Sequence, residues 1–184
     1  FSFVIDYQRN FLYAFEETGI FKISLVNDTS AEQFNLGEST WDAHPPSDMD
    51  IQKNILYYTN VDTDDLLKYN LNNNSRSHVL NSETNSDFPT GVAVDNSRSI
   101  LYVAKNTVGV FMSYDDGISW TSINNGLNTF STSILKYNDV AKNLYLGTKG
   151  GGIYSLKSNS QTWSSINTGL ENSTINAITY SPTN

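Results

Sequence analysis

A chain of 184 residues with 38% hydrophobic and only 16% charged residues has apolar surface enough for a packed core. Its 19 acidic residues against 11 basic ones leave a net charge of −8, which argues against nucleic acid and anionic membrane surfaces as partners. The absence of cysteine removes disulfides, thiolate metal sites and cysteine nucleophiles, and no apolar run approaches the roughly 20 residues that span a bilayer.

In chain order, residues 1–7 (FSFVIDY) alternate in polarity and predict an opening strand. A QRN turn leads into FLYAFEE, and a third strand begins at Gly19-Ile20-Phe21. Residues 38–54 (ESTWDAHPPSDMDIQKN) read as a long polar loop. ILYYTNV follows, and Leu66-Leu67-Lys68-Tyr69 takes the place of the third strand without its glycine. Residues 70–90 (NLNNNSRSHVLNSETNSDFPT) read as a second long loop. Next come TGVAVD at 90–95, ILYVAKN, Gly109-Val110-Phe111 and a polar last strand ending in WTSI. SILKY at 133–137, NLYLGTK, Gly152-Ile153-Tyr154 and WSSI repeat that order, and INAITY at 175–180 starts it again. Helix formers with a 3.6-residue period are scarce, so the chain reads as all-β.

The order is a repeat. Leu-Tyr pairs at Leu12-Tyr13, Leu56-Tyr57, Leu101-Tyr102 and Leu144-Tyr145 are spaced by 44, 45 and 43 residues, and WTSINNGL returns 43 residues later as WSSINTGL. Units of about 40–50 residues built from four short alternating strands are the signature of β-propeller blades. The expected architecture is one propeller segment with antiparallel four-stranded blades at about 1–44, 45–89, 90–131 and 132–174, and 175–184 opening a fifth. The extra strand implies that the array continues past Asn184, or that it completes a blade of a neighbouring chain and makes an oligomer through an open terminal blade.

In the third unit, Ser113-Tyr114-Asp115-Asp116-Gly117-Ile118-Ser119-Trp120 fits the pattern S-x-D-x-G-x-x-W. The stretch from 90 to 184 resembles the Asp-box (BNR-type) repeat propellers found in sialidases, sortilin-like domains and photosystem-assembly proteins. The fourth unit departs from the pattern, since SLKSNSQTW lacks the aspartate, and the first two units have no such box. The resemblance implies a structural role for Ser113, Asp115, Gly117 and Trp120. The physical reading agrees: a carboxylate beside a glycine accepts hydrogen bonds from its own turn, and the indole covers the hairpin.

Sialidase chemistry needs an arginine triad, and this chain has only Arg9, Arg76 and Arg98, which read as solvated turn residues. A glycosidase carboxylate pair would have to come from Asp42, Asp48, Asp50, Asp62, Asp64, Asp65 or Asp87. Clustered carboxylates at 48–50 and 62–65 lack the spacing of a calcium loop, and His44 and His78 lie too far apart in sequence to signal zinc. GTKGGG at 147–152 lacks the Lys-Ser/Thr of a phosphate loop and reads as a turn. No cofactor is called for. Aromatic and imidazole side chains in or beside the long loops, Trp41, His44, Tyr58 and Phe88, are the candidate ligand-binding residues, with no catalytic residue assigned. The reading is a non-catalytic, secreted or cell-surface propeller presenting loops to a glycan or protein. The alternative is part of an extracellular polysaccharide hydrolase.

Overall fold

Alternating side chains and frequent turn residues produce sixteen short strands and no helix among the described residues. The computed structural model describes residues 2–16, 19–26, 31–35, 47–60, 63, 65–80, 87–170 and 173–181. Four antiparallel sheets of four strands follow one another along the chain. Sheet 1 holds β1 (Ser2–Asp6), β2 (Phe11–Glu16), β3 (Gly19–Ser24) and β4 (Ala31–Asn35). Sheet 2 holds β5 (Ser47–Asp50), β6 (Ile55–Asn60), β7 (Asp65–Asn70) and β8 (Ser75–Leu80). Sheet 3 holds β9 (Pro89–Asp95), β10 (Ile100–Lys105), β11 (Gly109–Ser113) and β12 (Thr121–Ser122). Sheet 4 holds β13 (Thr132–Asn138), β14 (Asn143–Thr148), β15 (Ile153–Lys157) and β16 (Ser164–Ser165).

The chain forms two compact units, Phe1–Asn81 and Ser82–Asn184. In the first, sheets 1 and 2 share a core of Val4, Tyr13, Phe15, Ile20, Met49, Leu56, Tyr58, Leu67 and Tyr69. In the second, sheets 3 and 4 bury Tyr102, Val110, Tyr137, Leu144, Tyr154 and Trp163 between them. Gly91 lets β9 approach β13 closely, because a Cβ there would stand 2.5 Å from that of Leu135. Successive strand residues face opposite sides, so each Leu-Tyr pair sends one side chain to each face of its sheet. Both members are buried in sheets 2 and 3, whereas Leu12 in sheet 1 and Tyr145 in sheet 4 are only half-buried.

Two expected loops contain strands. Residues 47–50 form β5 although three of the four are polar, because Asp50 is buried at a turn that consumes its carboxylate. Residues 75–80 form β8, the outermost strand of its sheet, which needs few apolar residues because it is largely exposed. At the other end of the chain, 175–180 is not a strand of any sheet. It is tied to sheet 4 by a single bridge (Lys149 to Thr174), by the Ile175 amide donating to the Thr148 carbonyl at 3.0 Å, and by the Tyr180 hydroxyl donating to the Tyr137 carbonyl at 3.0 Å.

One turn is built four times. The first strand of each sheet ends in Asp6, Asp50, Asp95 or Asn138, whose side-chain oxygen accepts backbone N–H groups two or three residues on. Four residues after each, Asn10, Asn54, Ser99 and Lys142 take left-handed φ values of 58°, 60°, 50° and 54°. The chain then reverses into the Leu-Tyr strand.

Candidate functional site

Between sheets 3 and 4 the second unit opens into a crevice of about 510 Å³. Its floor is apolar: Met112, Leu144 and Leu156, with the stacked rings of Tyr102 and Tyr137 at a centroid distance of 5.9 Å. One wall is the end of sheet 3 from Thr121 to Asn125, and the other is the β15–β16 loop from Lys157 to Gln161.

Arg98 bridges the two sheets at this crevice. Its Nε donates to Asp95, which is fully buried; Nη1 donates to the Ser158 carbonyl at 3.2 Å and Nη2 to the Tyr102 hydroxyl at 3.4 Å. Burial alone would raise the Asp95 pKa, but Ser97, Tyr137 and Arg98 beside it outweigh burial and hold the carboxyl below its ordinary value. Burial pushes the Tyr102 phenol up to about 12. It also raises Tyr137, with Asp95 adding to the effect. The Tyr137 hydroxyl is buried beside the Asp95 carboxylate. Arg9 repeats the arrangement in the first unit, pairing with Asp6 at 2.8 Å and donating to the Ile51 carbonyl of sheet 2 at 3.1 and 3.2 Å. Arg9 and Arg98 are therefore clamps between sheets rather than solvated turn residues, because each turn carboxylate is too buried to be left unpaired.

The loop after β11 forms the lip. Ser113 Oγ donates to Asp115 at 2.7 Å and accepts the Gly117 amide at 2.8 Å; Asp115 accepts the Ser119 amide at 2.9 Å and its hydroxyl at 2.6 Å. Those bonds lower the Asp115 pKa to about 2, with the Ser119 hydroxyl the largest cause. The loop so held leaves Tyr114 66% exposed beside the crevice. Trp163 is buried and its indole N–H donates to the Ile123 carbonyl. Trp120 is only half-buried, and its indole nitrogen has no hydrogen-bond partner among the described residues.

The repeated INNGL and INTGL segments also acquire a role. Asn124 accepts the Val110 amide at 2.6 Å and donates to the Val108 carbonyl at 3.0 Å; Asn167 does the same to Ile153 at 2.7 Å and Gly151 at 2.8 Å. Each amide plugs the turn between the second and third strands where Gly109 and Gly152, at φ 95° and 78°, leave room for it. The near-literal repeat at Asn124 and Asn167 was the signal for this clasp.

Of the four expected binding residues, Tyr58 and Phe88 are described. Tyr58 is fully buried on β6, its ring 5.7 Å from that of Phe15, because β6 is covered on both faces; it cannot serve as a surface platform. Phe88 is half-buried just before β9. Trp41 and His44 lie outside the described residues, as do Asp42, Asp62 and Asp64. Asp50, Asp65 and Asp87 are paired with Lys53 at 3.7 Å, His78 at 3.3 Å and Lys105 at 2.6 Å. In GTKGGG the Gly150 and Gly152 amides donate to the Ser173 carbonyl, as a turn rather than a phosphate cradle. Among the described residues no cluster of three or more His, Asp or Glu side chains is placed to hold a metal, and no helix is long and apolar enough to cross a membrane.

Comparison with known proteins assigns the architecture. A chain in the crystal structure of a nidogen/laminin complex superposes with a TM-score of 0.64 at 14% identity, covering 88% of this chain and 60% of that one. The repeat, the four four-stranded sheets and this likeness define a β-propeller fold. This chain thus spans about 60% of the length of the structure it matches. With 713 solved chains matching, the architecture is too widely shared to carry a function. No protein-family model matches the sequence, and no curated protein does.

Proposed function

We propose that this chain is a non-catalytic binding propeller that presents the crevice between sheets 3 and 4, with its surrounding loops, to a glycan or protein partner outside the cell. One observation carries the reading: the crevice is walled by strands and clamped loops, and no described residue lining it is a carboxylate, in a chain of net charge −8. Preformed concave sites with an apolar floor and a few polar groups are where ligands settle. The bonding around Asp115 supports reading 113–120 as an Asp-box hairpin whose task is to hold the lip. A polysaccharide hydrolase remains the alternative for the wider protein. Its carboxylate pair would have to be drawn from residues other than Asp50, Asp65 and Asp87, which are engaged with Lys53, His78 and Lys105.

Screening the purified protein against arrayed glycans and a displayed-peptide library tests the proposal. A bound ligand is expected to protect residues 121–125 and 157–161 from hydrogen exchange. Protection confined to other segments would remove the crevice from the reading. Release of reducing sugar from a polysaccharide would favour the hydrolase.

A further inference from the structure

We propose that the crevice between sheets 3 and 4 takes a short acidic and apolar segment of a protein partner, with an apolar side chain against Met112 and Ile123 and a carboxylate against Lys157 and Arg98. This deepens the binding role proposed above, rests on it, and selects a protein over a glycan.

Charge complementarity sets the sign of the ligand. Lys157 is exposed at the crevice, and its ammonium has no ion pair among the described residues. Arg98 donates to Asp95, the Ser158 carbonyl and the Tyr102 hydroxyl, which engages three of the five N–H groups of a guanidinium. Its side chain is 39% exposed, so the remaining N–H groups are left for a ligand. Asp95 already balances the Arg98 charge; Lys157 therefore supplies the net attraction and Arg98 the directed donors. No described carboxylate lines the crevice, although the chain as a whole is acidic. Asp115 and Asp116 stand in the lip loop outside the lining, so a ligand carboxylate is drawn to the Lys157 side and away from the lip.

The apolar half decides between a peptide and a sugar. Met112 and Ile123 are half-buried in the lining, and Tyr114 is 66% exposed at the lip. The Tyr137 hydroxyl is buried beside Asp95 and that of Tyr102 is engaged with Arg98, so the floor presents carbon to a ligand. A sugar ring laid there would bury hydroxyls without partners, which is costly, whereas a Leu, Met or Phe side chain gains from the same burial. A peptide adding as a strand finds little to pair with, since β12 at this wall is two residues long, and recognition falls to side chains. Asn159 and Gln161 on the loop wall make no side-chain hydrogen bond to the described protein. Their amides both donate and accept, as the backbone of a bound peptide requires.

The experiment is an array of short peptides, each pairing one Leu, Met or Phe with a nearby glutamate, beside copies with glutamine in its place and beside uronate oligosaccharides. It is probed with the wild-type protein, Lys157→Gln and Tyr114→Ala, two exposed positions, and a melting curve checks the fold of each variant. Acidic peptides are expected to be retained and their glutamine copies lost. Affinity for the best acidic peptide should fall about two- to fivefold with Lys157→Gln and about three- to tenfold with Tyr114→Ala. For the wild-type protein it should also fall as salt is added, a readout that holds even where a variant melts early. Equal retention of the glutamine copies, or an affinity indifferent to salt and to Lys157→Gln, overturns the acidic ligand and leaves the binding role standing. Retention of the uronate oligosaccharides alone overturns the peptide and leaves a glycan in its place. A blank array from folded protein, with blank glycan and displayed-peptide screens, removes both readings.

Discussion

At Asp95 a single carboxylate does two jobs: it caps its own turn and holds the arginine that reaches the neighbouring sheet. Its folded pKa is depressed, so the stability it contributes is complete above its unfolded value near pH 4 and is lost as pH falls through the lower folded value. Asn138 caps the equivalent turn of sheet 4 without a charge. Asp95→Asn should therefore keep the turn, cost about 1–2 kcal/mol at neutral pH through the lost ion pair, and flatten the acid limb of stability. Urea melts from pH 2 to pH 7 would show this, and an unchanged acid limb would assign it to other carboxylates. A second residue shows strain. Lys142 sits at φ 54° where sheets 1 and 2 carry asparagine, and its ion pair with Asp139 at 3.8 Å is exposed. Lys142→Asn is expected to stabilise by about 0.5–1 kcal/mol, since asparagine tolerates that conformation better and the exposed pair contributes little. A lower melting temperature would contradict it.

At the scale of the element, the outermost segments of sheets 3 and 4 look alike in sequence and differ in what they hold. Trp163 is buried, donates its indole N–H to Ile123, and its own amide donates to the Asn125 carbonyl at 2.9 Å, so the last segment of sheet 4 is locked to that of sheet 3. Trp120, its repeat counterpart, is half-buried, and its indole nitrogen finds no partner among the described residues. Trp163→Ala should cost about 3–5 kcal/mol, and Trp120→Ala about 1–2 kcal/mol. Denaturant unfolding of the two variants measures the difference, and equal losses would contradict it. The repeat made the two tryptophans equivalent on paper. The neighbour each one meets makes them unequal.

At the scale of the whole molecule, sheets 3 and 4 form a unit whose buried cluster is drawn wholly from residues between Ala93 and Trp163. Repeat arrays derive stability from each repeat and from its interface with the next. Residues 82–184 expressed alone are therefore expected to melt cooperatively and keep the crevice, because both of its walls lie within that segment. A broad, non-cooperative transition would show that the first unit is needed to hold sheet 3.

How much of this was legible in sequence differs between backbone and site. The four Leu-Tyr strands, their spacing and the flanking strands of sheets 3 and 4 follow from alternation and turn residues, which act over a few neighbours and so leave a local mark. Strands β5 and β8 escaped because one is polar yet buried at a capped turn and the other is an outer strand with little to bury. The site escaped more completely. Tyr58 read as a surface ring until β6 proved covered on both faces. Tyr114, Tyr137 and the 157–161 loop belong together only because sheet 4 packs on sheet 3, more than 20 residues away along the chain. Sequence by itself determined the repeat and the all-β class, since both rest on alternation and turn residues close along the chain. Tertiary structure alone decided which faces are buried, what the turn arginines reach, and where a crevice remains, since those depend on contacts between sheets that no local pattern encodes.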